Sequence, residues 1–136
     1  MQTFIQTNSQ RARSHAPGVR VMLLSERVEG RTGQRLADYG SVVDVADALE
    51  DAVNAILDDP LGYDLFVMDC DGFGGIAGAE RAISTLIAGD AKMRVMLVSR
   101  EFDVPAYPLG RRTAVCLPED VSDASFRSYL REHAPR

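Results

Sequence analysis

Five short apolar runs punctuate the chain: Val19 to Leu24, Ser41 to Ala46, Leu65 to Met68, Met93 to Val98 and Thr113 to Leu117. They are rich in Val, Leu and Met and lack a polar alternation, the pattern of strands covered on both faces. Between the runs the period lengthens. From Asp47 to Leu57 the positions Leu49, Ala52, Val53, Ile56 and Leu57 repeat at helical spacing, with acids on the other face. Ala79, Ala82, Ile83, Leu86 and Ile87 repeat in the same way and stop at Gly89. A weaker helical pattern covers Glu26 to Tyr39, interrupted by Gly30 and Gly33 and ended by Gly40. A last helix starts near Ser122 and turns Phe126, Tyr129 and Leu130 inward.

Strand and helix therefore alternate. Parallel strands need a crossover connection, so the expected fold is an α/β domain with helices on both faces of a parallel sheet. One crossover departs from this. Between Val98 and Thr113 stand Pro105 and Pro108, and proline inside a helix removes a hydrogen bond and clashes with the preceding turn. The fourth crossover helix is expected to be short, distorted or absent. Residues 1–18 are polar and end in Ala-Pro-Gly, which reads as an N-terminal arm ahead of one domain over residues 19–136.

Composition narrows the function classes. A chain of 136 residues that is 46% hydrophobic and 26% charged closes one core. No apolar run reaches the roughly 18 to 20 residues needed to span a bilayer, and no secretory signal pattern opens the chain, so a cytoplasmic location without membrane contact is expected. Cys70 and Cys116 lack a paired spacing, and His15 and His133 form no cluster. The net charge of -5 speaks against nucleic acid as a partner. Its distribution says more, because no Lys or Arg occurs between Leu36 and Glu80 whereas six arginines fall between Arg11 and Arg35. One acidic and one basic flank suit docking to a charged protein.

Ligands of an open parallel sheet collect beyond the carboxyl ends of its strands. Those positions read Ser25 and Glu26 after the first run, Asp69, Cys70 and Asp71 after the third, Ser99 after the fourth, and Leu117 with Pro118 at the end of the fifth. Acids and a hydroxyl converge on one rim. Such a set suits a hard divalent cation such as Mg2+.

D-L-F-V-M-D closing the third strand, V-M-L-V-S closing the fourth and a hydrophobic-Pro pair closing the fifth resemble the receiver domain of two-component response regulators. The resemblance runs from Val19 to about His133. It implies a flavodoxin-like, CheY-like doubly wound sheet of five strands in the order 2-1-3-4-5. It also implies that Asp69 accepts a phosphoryl group from a histidine kinase or phosphotransfer protein. Mg2+ would be held by Glu26, Asp69 and the backbone carbonyl of Asp71, with Ser99 as the switch hydroxyl. The chain would then be a stand-alone, non-enzymatic receiver acting on a downstream signalling protein or as a homodimer.

The departures are specific. Receivers carry two acids after the first strand, where this chain has Ser25-Glu26, and a Lys-Pro pair ending the fifth, where it has Leu117-Pro118. The single lysine, Lys92, precedes the fourth strand and so belongs to the opposite rim, leaving Arg100 or Arg111 as substitute cations. These gaps keep open a pseudo-receiver adaptor that is never phosphorylated. Asp69-Cys70-Asp71-Gly72 also matches the D-x-D-G of haloacid-dehalogenase-like phosphatases, an enzymatic alternative that again lacks its lysine. The glycines from Gly72 to Gly78 do not reproduce a dinucleotide or Walker spacing and read as a flexible turn.

Overall fold

The computed structural model describes residues 19–27, 30–91, 93–107 and 114–133. The arm over residues 1–18, together with Lys92 and Arg111, lies outside them. Five strands form one sheet: β1 (Arg20–Leu24), β2 (Val42–Ala46), β3 (Leu65–Asp69), β4 (Arg94–Ser99) and β5 (Ala114–Pro118). All pairings are parallel and the order is β2-β1-β3-β4-β5. The first and third strands are therefore neighbours, with Leu24 opposite Met68.

Side chains alternate across a strand, and this sheet buries both sets. Met22, Leu24, Phe66, Met68 and Leu97 face one side, where α2 (Leu49–Asp58) and α3 (Gly75–Ala88) cover them with Ala52, Ile56, Ala82 and Leu86. Val21, Leu23, Val67, Val98 and Leu117 face the other, under Leu36 of α1 (Arg31–Asp38) and Phe126 and Leu130 of α4 (Asp123–His133). Two covered faces explain why the strands read as unbroken apolar runs.

The helix boundaries show where local chemistry differs from the expected pattern. α1 begins at Arg31, five residues later than its apolar period suggests. Ser25 Oγ accepts from the Arg27 N–H at 3.2 Å, and the Gly30 N–H donates to the Arg27 carbonyl at 3.0 Å. Glu26 is thus a loop residue and not a first-turn helix acid. α4 starts where expected, with Ser122 Oγ accepting the Ser125 N–H at 3.1 Å, an N-cap bond.

The fourth crossover contains no helix among the described residues 100–107. In its place Ala106 pairs antiparallel with Cys116, each N–H reaching the other's carbonyl at 3.0 and 2.8 Å. This strap satisfies backbone groups on the outer edge of β5, which would otherwise be an open template for pairing.

Candidate functional site

Asp69 is the last residue of β3, and a 3-10 turn over Cys70–Phe73 follows it directly. Gly74 then adopts φ +92° and Gly75, the first residue of α3, φ +64°, a conformation that glycine reaches without a Cβ penalty. The glycine stretch is thus a tight turn that takes the chain sharply off the strand. The Ile76 N–H at the start of α3 is satisfied by Glu101 Oε2 at 3.0 Å, so this helix end is capped from within the chain.

Around Asp69 lies an open cavity of about 280 Å3 on the carboxyl rim of the sheet. Glu26, Asp69, Asp71 and Glu119 contribute acids to its lining, and Arg27, Arg31, Arg35 and Arg100 contribute cations. The Glu26 carboxylate lies over the turn, since a Cβ built on Gly72 would sit 2.2 Å from Glu26 Oε1. The three acids singled out from sequence, Glu26, Asp69 and Asp71, therefore share one cavity. Asp69 Oδ1 accepts a hydrogen bond from Thr32 Oγ1 at 2.7 Å. Thr32 is buried in the first turn of α1. No pattern in the sequence singles it out, although it stands on the helix that follows Glu26.

Ser99 ends β4 and is fully buried. Its hydroxyl donates to Asp71 Oδ1 at 2.6 Å and accepts the Glu101 N–H at 3.0 Å. Asp71 Oδ2 receives the Arg100 N–H at 3.0 Å, with Arg100 Nε 3.4 Å away. Partial burial opposes ionisation of Asp71, but the bonds from Ser99 and Arg100 outweigh it and hold the carboxyl below its ordinary 3.8. A depressed carboxyl stabilises the fold above its unfolded value and loses that contribution as pH falls through the folded value. Urea midpoints of the wild type should therefore drop more steeply below about pH 5 than those of Asp71→Asn. Parallel curves would remove the contribution assigned to this carboxylate.

Leu117 is fully buried in the core under α4, and Pro118 pairs with Ser99 across β4 and β5. The end of β5 thus supplies no cation to the cavity, and Glu119, the next residue, adds an acid whose Oε2 lies 3.6 Å from Arg100 Nε. Ser25, in the place of a second acid, is 2% exposed and occupied by the Arg27 loop. Arg35 lines the cavity, but its guanidinium reaches Asp123 Oδ1 at 2.8 Å, donates to the Val121 carbonyl and lies over the Phe126 ring. Arg31 also reaches Asp123, at 3.6 Å, and is far more exposed.

Burial pushes the Cys70 thiol up to about 12, helped by Cys116 and Asp71, and burial alone raises Cys116 to about 11. Neither is a reactive thiolate at neutral pH. Oxygen donors of the kind Mg2+ prefers are present in the cavity. Among the described residues, however, no group of three or more His, Cys, Asp or Glu side chains is arranged to hold a metal. The Asp71 carboxylate is turned to Ser99 and Arg100, so a cation there would meet two carboxylates and keep much of its water. No helix among the described residues is long and apolar enough to cross a membrane.

No family model and no curated protein matches the sequence. Solved structures do match. The receiver domain of the histidine kinase CKI1 from Arabidopsis thaliana, complexed with Mg2+ and BeF3-, superposes with a TM-score of 0.59 at 14% identity, over 88% of this chain and 91% of that one. The fold is that of a response-regulator receiver domain. The response regulator StyR gives 0.59 at 17% identity, over 85% of this chain and 58% of that one. A fusion carrying the yeast Spc42 trimeric coiled coil gives 0.63 at 13% identity, over 85% and 76%. The receiver fold accounts for the sheet order and for the gathering of Glu26, Asp69, Asp71 and Ser99 on one rim. The strap over β5, the buried Leu117 and the Thr32 contact are features of this chain.

Proposed function

We propose that the chain is a divergent receiver in phosphorelay signalling, acting by protein contact, with Asp69 as its phosphoryl acceptor. The observation that carries this reading is the position of Asp69. It ends the central strand of a receiver sheet, opens on a cavity lined by Arg31 and Arg100, and has one carboxylate oxygen fixed by Thr32. Fixing one oxygen orients the other for in-line attack on phosphorus. The P–N bond of a phosphohistidine on a kinase or phosphotransfer partner would break as the P–O bond to Asp69 forms.

Charge neutralisation is the demanding part of such a transfer. Leu117 contributes none, so two of the cavity's guanidinium groups, those of Arg31 and Arg100, are assigned the place of a lysine. Mg2+ bound by Glu26, Asp69 and the Asp71 carbonyl would supply further positive charge. Turnover of a substrate is not part of the proposal. The partners are the phosphoryl donor and a downstream protein or a second copy of the chain, in the cytoplasm.

Incubation with acetyl phosphate and Mg2+, followed by intact mass measurement, tests the proposal. One phosphoryl group per chain is expected on the wild type and none on Asp69→Asn. A folded wild type that gains no adduct would instead support the adaptor reading. Continuous phosphate release from a model ester, lost in Asp69→Asn, would support the phosphatase.

A further inference from the structure

Three donors converge on the Asp71 carboxylate at the end of β4: the Ser99 hydroxyl, the Arg100 N–H and the Arg100 guanidinium, at 2.6, 3.0 and 3.4 Å. A hydroxyl, a backbone amide and a guanidinium directed at one point are the donor set of an oxyanion site. The site opens on the same cavity as Asp69, because Asp69, Asp71 and Arg100 all line it. Its present occupant is an anion from the chain itself.

We propose that Asp71 is an autoinhibitory occupant of this donor set, so that an external oxyanion reaches Ser99 and Arg100 only by displacing the Asp71 side chain. A serine hydroxyl has one proton to donate, and Ser99 gives it to Asp71 while accepting the Glu101 N–H. Ser99 is fully buried, whereas the Asp71 side chain is 29% exposed, so the set opens to solvent only from the Asp71 side. Two anions cannot share the set without direct repulsion. The consequence is a domain whose β3 turn and β4 end are already drawn together in the resting state. Any anion that arrives at Asp69 competes with Asp71 for Ser99 and does not find it free.

The inference rests on the geometry around Asp71 and stands whether or not Asp69 accepts a phosphoryl group. The test uses inorganic phosphate as the probe, which does not phosphorylate a carboxylate, and follows the Arg100 and Glu101 amide signals of the full chain by NMR. In the wild type those signals should titrate only weakly on phosphate addition. In Asp71→Ala they should titrate saturably, with affinity higher by about tenfold, the size of one charge-assisted contact. Adding Ser99→Ala to that variant should abolish most of the gain. Should Asp71→Ala fail to fold, the isosteric Asp71→Asn removes the charge with little change of shape and carries the same expectation at smaller amplitude. Affinity equal to wild type within about twofold in both Asp71 variants, or a gain that survives Ser99→Ala unchanged, would overturn the proposal.

Discussion

A Gly78→Ala chain should be less stable than the wild type by about 3 kcal/mol, the upper end of overpacking costs. A Cβ at Gly78 would lie 1.8 Å from the Phe73 carbonyl oxygen and 2.9 Å from its carbon. These are backbone atoms of the turn over Cys70–Phe73, and they cannot rotate away. Alanine favours a helix over glycine by about 1 kcal/mol, which is too little to offset the clash, so the turn or the first turn of α3 must move. Asp71 sits in that turn, and its bonds to Ser99 and Arg100 should be lost together with the stability. Gly72→Ala provides the contrast. Its Cβ meets only the carboxylate end of Glu26, at 2.2 Å, an exposed side chain that can swing out, so stability should change by no more than about 0.5 kcal/mol. Urea unfolding of both variants measures the difference. A Gly78→Ala chain as stable as the wild type would show that the close approach of α3 to Phe73 does not exist in solution.

The same contrast separates what sequence could show from what it could not. The strands were legible because both faces of the sheet are covered, which leaves runs such as Leu65 to Met68 without a polar position. Glu26, Asp69, Asp71 and Ser99 were legible as a group because strand-end positions of a parallel sheet share one rim. Their partners were not. That Thr32 reaches Asp69 depends on the rotational phase of α1, and the pattern from Glu26 to Tyr39 placed the start of that helix too early. That Ser99 meets the Asp71 carboxylate depends on rotamers chosen at the junction of two strands distant in sequence. The prolines removed the fourth helix from the expected fold, but nothing in the Pro105 segment announced the pairing of Ala106 with Cys116, since a single bridge has no period.

Phe126→Ala should cost about 4 kcal/mol, within the range for emptying a buried aromatic position. Phe126 is 1% exposed and, with Leu130, is the buried contribution of α4 to the core over Val98, Val115 and Leu117. The cavity left behind cannot easily collapse, because β4 and β5 are fixed by their pairing on one side. On the other side the Arg35 guanidinium lies 5.0 Å from the ring centroid, with its bonds to Asp123 and Val121 already made. Loss of the ring face should remove a further part of about 1 kcal/mol from that contact, whereas Phe126→Leu should retain most of the burial and cost under about 1.5 kcal/mol. The check is a lower urea midpoint at unchanged slope, so that stability and not the unfolded reference has moved. A loss below about 1 kcal/mol would mean that α4 is not docked by this residue. Asp69 and Thr32 belong to β3 and α1, and the hydrogen bond between them does not pass through Phe126. The yield of phosphoryl adduct should accordingly fall only with the folded fraction, which makes Phe126→Ala the variant that distinguishes failure of packing from failure of the chemistry at Asp69.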